Sequence, residues 1–260
     1  MRETLTPPFP VGSDSSRHDW RWQHAVRHAR VGLLAGLVAA LLGSALASVP
    51  AGLRLVDEGR FVEAMETFET VIERTPADVR AYYLLARAAV YAADALPEGE
   101  DAAREALFDR AAEYAEAAVE RAPDDPHAHF EVARSLGRLA QYRGVLASLN
   151  LAGRVADALD RTLERDPEHA GAWHARALFH VEVPWIAGGR SGQVVPSFER
   201  AIAIEPDVLT HRVEFARVLI ERGEPEAAVE QLEVALTLTP RTYFDRQDLA
   251  TAEALREQLR

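Results

Sequence analysis

The chain contains neither cysteine nor lysine, and each absence excludes a kind of chemistry. Without a thiol there is no disulfide framework, no thiolate metal site and no cysteine nucleophile. Without lysine there is no Schiff base and no P-loop lysine to bind phosphate. All 29 basic residues are arginines, and 41 acidic residues outnumber them to give a formal net charge of −12. Because an acidic chain repels phosphate backbones, we expect no nucleic-acid partner.

The N-terminal segment differs in composition from the rest and predicts export. Residues 1–30 are a basic leader that we expect to be flexible, and residues 31–47 are typical of a signal-peptide hydrophobic region that ends in a small-x-small cleavage site. The alternative is an uncleaved membrane anchor, in which membrane contact is made only through the uncharged run 31–53. Both alternatives place residues 48–260 in the periplasm or elsewhere outside the cytoplasm, because flanking arginines stay inside. That part holds 38 acidic residues and 24 arginines.

From residue 51 onward the apolar residues recur at intervals of three and four, which predicts successive helices. Five segments follow one template, and each closes with a proline: Pro76, Pro123, Pro167, Pro206 and Pro240. Small residues at fixed positions let paired helices approach closely, and large apolar residues fill the notch between pairs. The residues in these structural positions are Gly59, Ala64, Phe68, Tyr82, Ala86, Ala118, Trp173, Ala177, Phe198, Ala201, Ala228, Leu232 and Ala235.

In these positions the sequence resembles the tetratricopeptide repeat. The resemblance implies an all-α solenoid of about five helical hairpins over residues 48–242, with residues 243–260 as a capping helix. In its long insertions and in the glycine-containing turn between Phe179 and Phe198, the chain is also similar to two kinds of divergent repeat protein. These are the T-component proteins of periplasmic solute uptake and the regulator of microtubule dynamics family.

The resemblance also implies a binding surface, because the first helix of each repeat lines the concave side of the solenoid. The inward positions carry Tyr83, Arg87, Phe130, Arg134, His174 and Arg217. Arginine forks and aromatic rings together suit the recognition of a peptide or an anion. In the alternative, each arginine neutralises a neighbouring acid such as Glu131 or Glu214.

No motif predicts catalysis, a cofactor or a metal site. The histidines do not form an HExxH pair, and no GxSxG nucleophile motif occurs. The glycine-rich stretch 187–193 is typical of an insertion between helices, beside which Trp185 either packs back or offers a partner surface. We therefore expect a non-enzymatic scaffold that holds a protein or peptide partner in its concave groove. The alternatives are an accessory component of solute uptake, which binds a small acidic ligand or a substrate-binding protein, and an enzyme built on helical repeats.

Overall fold

The computed structural model describes residues 47–143 and 145–260, and in them the secondary structure is entirely helical. Two short 3-10 helices, Trp185–Ala187 and Ser191–Gln193, join the seventh and eighth α-helices. The α-helices are α1 (Val49–Glu58), α2 (Phe61–Arg74), α3 (Val79–Asp94), α4 (Asp101–Arg121), α5 (Pro126–Arg143), α6 (Val145–Arg165), α7 (Ala170–Glu182), α8 (Val194–Ile204), α9 (Leu209–Glu221), α10 (Pro225–Ala235) and α11 (Tyr243–Gln258).

These helices form five hairpins and one further helix. Within each of the pairs α1–α2, α3–α4, α5–α6, α7–α8 and α9–α10 the helices pack side by side, and α11 packs on α9 and α10. The second helix of every hairpin ends shortly before one of the five template prolines. The expected all-α solenoid of five hairpins with a C-terminal helix is therefore confirmed.

Side-chain caps begin several of the helices that open a hairpin, and also the last helix. The side chains of Ser48, Asp78 and His169 accept backbone N–H groups in the first turns of α1, α3 and α7. At α11, Thr242 and Asp245 form a reciprocal capping box. Such caps satisfy donors that the helix leaves unpaired, so each of these helices has a defined starting residue.

The residues that the template places in structural positions form the core. Eleven of the thirteen are buried, among them Phe68 and Phe198 with no exposed surface. Gly59 and Trp173 are partly exposed. Gly59 ends α1 with a φ of 81°, and an added Cβ would lie 2.5 Å from the Tyr243 ring, so glycine is required there on two counts.

The C-terminal helix does more than cover the last hairpin. In its first turn, Phe244 lies with its ring centroid 5.5 Å from that of Phe61 and 4.4 Å from that of Tyr91, and Tyr243 lies 5.4 Å from Phe61. We call Phe61, Tyr91, Tyr243 and Phe244 the aromatic clasp. Because the clasp joins α11 to the first two hairpins, the inner side of the solenoid is bounded at both ends. The sequence predicted a cap on the last repeat and not this contact with the first.

The uncharged run 31–53 does not behave as one segment. Residues 49–53 lie in α1, and Gly52 is buried so close to Phe68 that an added Cβ would overlap the ring. The expectation of membrane contact through residue 53 is wrong for those five residues, since they pack in the folded unit. The leader 1–30 and residues 31–46 of the predicted signal or anchor lie outside the described residues. Of the helices that the structure describes, none combines the length and the hydropathy that crossing a membrane requires.

Candidate functional site

All six odd-numbered helices, α1 to α11, line one cavity of about 1260 Å³. Each contributes side chains to the wall, for example Leu53, Tyr91, Phe130, Leu178, Glu214 and Phe244. Several wall residues keep much of their surface exposed, including Arg217 with 53% of its side chain, so the cavity is open to solvent.

The cavity wall includes five of the six residues that the repeat register placed inward: Arg87, Phe130, Arg134, His174 and Arg217. Tyr83 is not among the wall residues. It is partly buried, and its ring centroid lies 5.6 Å from that of His127. The structure therefore brings five predicted residues to one surface and leaves the sixth in the packing between hairpins.

Two of the predicted arginines hold one fully buried carboxylate. Glu131 has no exposed surface, and Arg87 donates to its Oε1 from Nε at 2.8 Å and from Nη2 at 2.5 Å. Arg134 Nε lies 3.1 Å from the other oxygen, Oε2. Burial is the largest single influence and acts to lower the Arg87 pKa, but the charge and hydrogen bond of Glu131 together with Tyr91 and Tyr83 outweigh it, so the Arg87 pKa is raised and the guanidinium stays charged. The contacts are those of the alternative in which arginines neutralise neighbouring acids.

Arg134 also ties this ion pair to the aromatic clasp. Its guanidinium carbon lies 4.7 Å from the centroid of Phe130 and 5.6 Å from that of Tyr91. Its Nη1 donates a 2.9 Å hydrogen bond to the Tyr91 hydroxyl. Because Tyr91 contacts Phe244, the wall of α3 and α5 and the clasp form one connected network.

A pair of histidines occupies the wall between α7 and α9. His174 Nδ1 lies 3.1 Å from His211 Nδ1, so one imidazole donates to the other. Burial, followed by the neighbouring His211 and Arg134, lowers the His174 pKa to about 3, so His174 is neutral near pH 7. His211 is 5% exposed, and its Nε2 is 3.6 Å from the Glu205 carboxylate, beyond hydrogen-bond distance. The sequence did not predict this pairing, because the two histidines belong to different repeats and neither forms a recognised motif.

Carboxylates, and not arginines, dominate the charge of the wall. Seven acidic residues and four arginines line the cavity. Arg217, the exposed predicted arginine, donates to Glu214 at 3.0 Å. Of the two alternatives for these arginines, the contacts are those of neutralisation, since Arg87, Arg134 and Arg217 each have a carboxylate partner. The surplus of charge among the wall residues is negative.

The insertion between α7 and α8 is ordered by its own backbone hydrogen bonds. Gly189 N donates to Pro184 O at 3.1 Å, and Gly188 N donates to Trp185 O at 3.2 Å. Trp185 is 83% exposed and does not pack back onto the helices. Of its two alternatives, the exposed position is the one that the structure shows.

In residues 47–143 and 145–260, no three histidine or acidic side chains are grouped so that they could hold a metal ion. The described wall thus offers ion pairs, rings and carboxylates for binding.

Comparisons with known proteins agree with the fold. A family model described as regulator of microtubule dynamics protein 1-3 matches residues 53–186. The structure is similar to the crystal structure of TTC0263, a thermophilic TPR protein in Thermus thermophilus, with a TM-score of 0.64 and 21% identity over 79% of this chain and 97% of that chain. No curated protein matches the sequence.

Two further structures are more distant. MamA 41-end from Desulfovibrio magneticus RS-1 has a TM-score of 0.44 and 14% identity, over 74% of this chain and 93% of that chain. YrrB, a TPR protein with an unusual peptide-binding site, has a TM-score of 0.42 and 12% identity, over 79% and 88%.

We expect Glu131→Gln to lower the free energy of unfolding in urea by about 3–5 kcal/mol, because it removes the buried charge that two partly buried arginines share. Glu63→Gln serves as the matched control, since Glu63 pairs with Arg60 while 52% of its side chain is exposed. Exposed pairs contribute little to stability, so the control should lose far less. Equal losses in the two variants would show that the buried network adds nothing.

Proposed function

The chain belongs to the regulator of microtubule dynamics protein 1-3 family, and we propose that it is a non-enzymatic scaffold that binds an extended segment of a partner protein in its cavity. The observation that carries this proposal is the continuous wall that six inner helices contribute to one cavity. Rigid rings and aliphatic side chains in that wall supply contact area at little cost in conformational entropy.

The size of the cavity favours a segment of chain over a small metabolite. At about 1260 Å³ it exceeds the roughly 300–1,000 Å³ of ordinary small-molecule sites. The aromatic clasp supports an extended segment over a folded domain, because α11 and the first hairpin bound the space that a domain would need.

The state of the polar wall residues supports binding over catalysis. Arg87 and Arg134 are engaged by Glu131, so neither is free to stabilise a developing charge. With a pKa of about 3, His174 is a weak proton acceptor near neutral pH. The surplus of carboxylates in the wall disfavours the small acidic ligand of the solute-uptake alternative.

We also propose that the folded unit works outside the cytoplasm. The support is the sequence of residues 1–47, in which an arginine-rich flank precedes an uncharged run that ends in small residues.

A substitution that fills the cavity tests the proposed function. Gly137 lies in the wall on α5, and an added Cβ there would meet no atom within 4 Å. We expect Gly137→Trp to keep the fold and to abolish the enrichment of peptides that the unmodified protein selects from a random peptide library.

Gly153→Trp is the matched control. Gly153 is exposed on α6 and is not one of the wall residues, although its neighbour Ala152 is, and an added Cβ there also meets no atom within 4 Å. Peptide enrichment should survive this change. If both tryptophan variants enrich peptides as well as the unmodified protein does, the binding site lies outside the cavity.

A further inference from the structure

We infer that the segment bound in the cavity is basic, with arginine or lysine side chains that meet a group of carboxylates at the cavity wall. This inference rests on the proposed function and names the class of its ligand. The group, which we call the acidic rim, consists of Asp57, Glu182, Glu214, Asp245 and Asp248.

The acidic rim is poorly neutralised by this chain. Of its members, within residues 47–143 and 145–260, only Glu214 forms an ion pair with an arginine, Arg217 at 3.0 Å. Asp248 accepts from the Thr210 hydroxyl, and Asp245 accepts backbone N–H groups at 2.9 Å. These hydrogen bonds satisfy lone pairs and leave the negative charge in place.

Mutual repulsion in the acidic rim supports this conclusion. Burial, followed by the negative charges of Asp245 and Glu58, raises the Asp57 pKa. Burial also raises the pKa of Asp248, and Glu214 and Asp245 add to the rise against the hydrogen bond from Thr210.

The pKa of Glu182 is raised as well. Burial is the main cause and the charge of Glu214 adds to the rise, against a hydrogen bond from Gln141 and the positive charge of Arg138. A cation bound among these carboxylates would stabilise their charged forms. Binding of a cation is therefore favoured by an attraction that is absent in the free protein.

A second and separate feature of the wall is a buried histidine nitrogen beside a carboxylate. His211 is only 5% exposed in the wall, and its Nε2 makes no hydrogen bond in the described part of the chain. The Glu205 carboxylate lies 3.6 Å from that nitrogen, beyond hydrogen-bond distance. In the tautomer in which His211 donates from Nδ1 to His174, its Nε2 is an acceptor, and a planar guanidinium with its five N–H donors can then donate to both Nε2 and the Glu205 carboxylate.

The spacing of these groups favours a peptide over a single ion. The acidic rim draws on α1, α7, α9 and α11, and the described residues contain no trio of side chains that could hold a metal. A chain with several cationic side chains can reach all four helices. Between the charges, Leu53, Leu178 and Phe244 offer apolar surface on which the aliphatic stems of arginine or lysine can pack.

The test compares basic, neutral and acidic peptides of equal length and equal apolar content, with affinities measured by fluorescence anisotropy at physiological salt. We expect the basic peptide to bind at least about tenfold more tightly than the neutral one and the acidic one to bind more weakly than both. In Asp57→Asn/Asp248→Asn the affinity for the basic peptide should fall by about tenfold or more. Melting temperature should not fall in this variant, since it relieves repulsion within the free protein.

The matched control is Glu113→Gln/Glu230→Gln, which removes the same charge from exposed positions on α4 and α10. Its affinity for the basic peptide should stay within about twofold of the unmodified protein, because salt screens charges at a distance. An equal loss in both double variants would overturn the inference, since general attraction to an acidic protein would then explain the binding. Preference for the neutral or acidic peptide would overturn it too.

Two outcomes separate this inference from the proposed function. Peptide binding that Gly137→Trp abolishes but that shows no preference for positive charge removes the inference and leaves the proposed function standing. If spermidine binds with the same dependence on Asp57 and Asp248 while the basic peptide does not bind, the cavity takes a small polyamine. Both the inference and the proposed function would then be wrong.

Discussion

Contact between the last helix and the first hairpin decides what kind of surface this protein offers. A solenoid of hairpins left open at its ends presents a long groove, whereas here Phe244 lies against Phe61 and Tyr91. Tyr91 accepts a hydrogen bond from Arg134, which in turn faces the buried Glu131. The contact between α11 and the first two hairpins and the ion pairs of the inner wall therefore form one network. A substitution at one end of this network should change the stability of the contacts at the other end.

The same network explains why the inner arginines are poor candidates for ligand contacts. A buried carboxylate needs compensation, and Arg87 and Arg134 together supply it. Positive charge used in this way is not available to a partner. The carboxylates of Asp57 and Asp248 form no ion pair with an arginine of the described residues, so their negative charge is available to a ligand.

Much of the fold could be predicted because repeat spacing is local information. The prolines and small residues indicated five hairpins, and eleven of the thirteen predicted core positions, among them Phe68 and Leu232, are buried as expected. The register also brought Arg87 and Arg134 to the inner face. The register could not show that Glu131, the partner of both arginines, is buried. It also placed Tyr83 on the inner face, although that ring packs beside His127.

The features that escaped prediction all depend on where the chain returns in space. Phe244 and Asp248 belong to α11, which has no repeat register, so its approach to α1 follows from the angles that five stacked hairpins accumulate. His174 and His211 meet across a hairpin boundary for the same reason. The repeat pattern of the sequence shows which face of a helix a residue occupies. The angles between stacked hairpins decide which of those faces come into contact.

A double-mutant cycle between Phe61→Leu and Phe244→Leu, measured by urea unfolding, tests the closure most directly. Because stacked aromatic pairs contribute beyond the area they bury, the account predicts a coupling energy of about 0.5–1.5 kcal/mol between the two positions. If the effects of the two substitutions add to within about 0.3 kcal/mol, the two rings do not interact in solution. The contact between α11 and the first hairpin would then be contradicted.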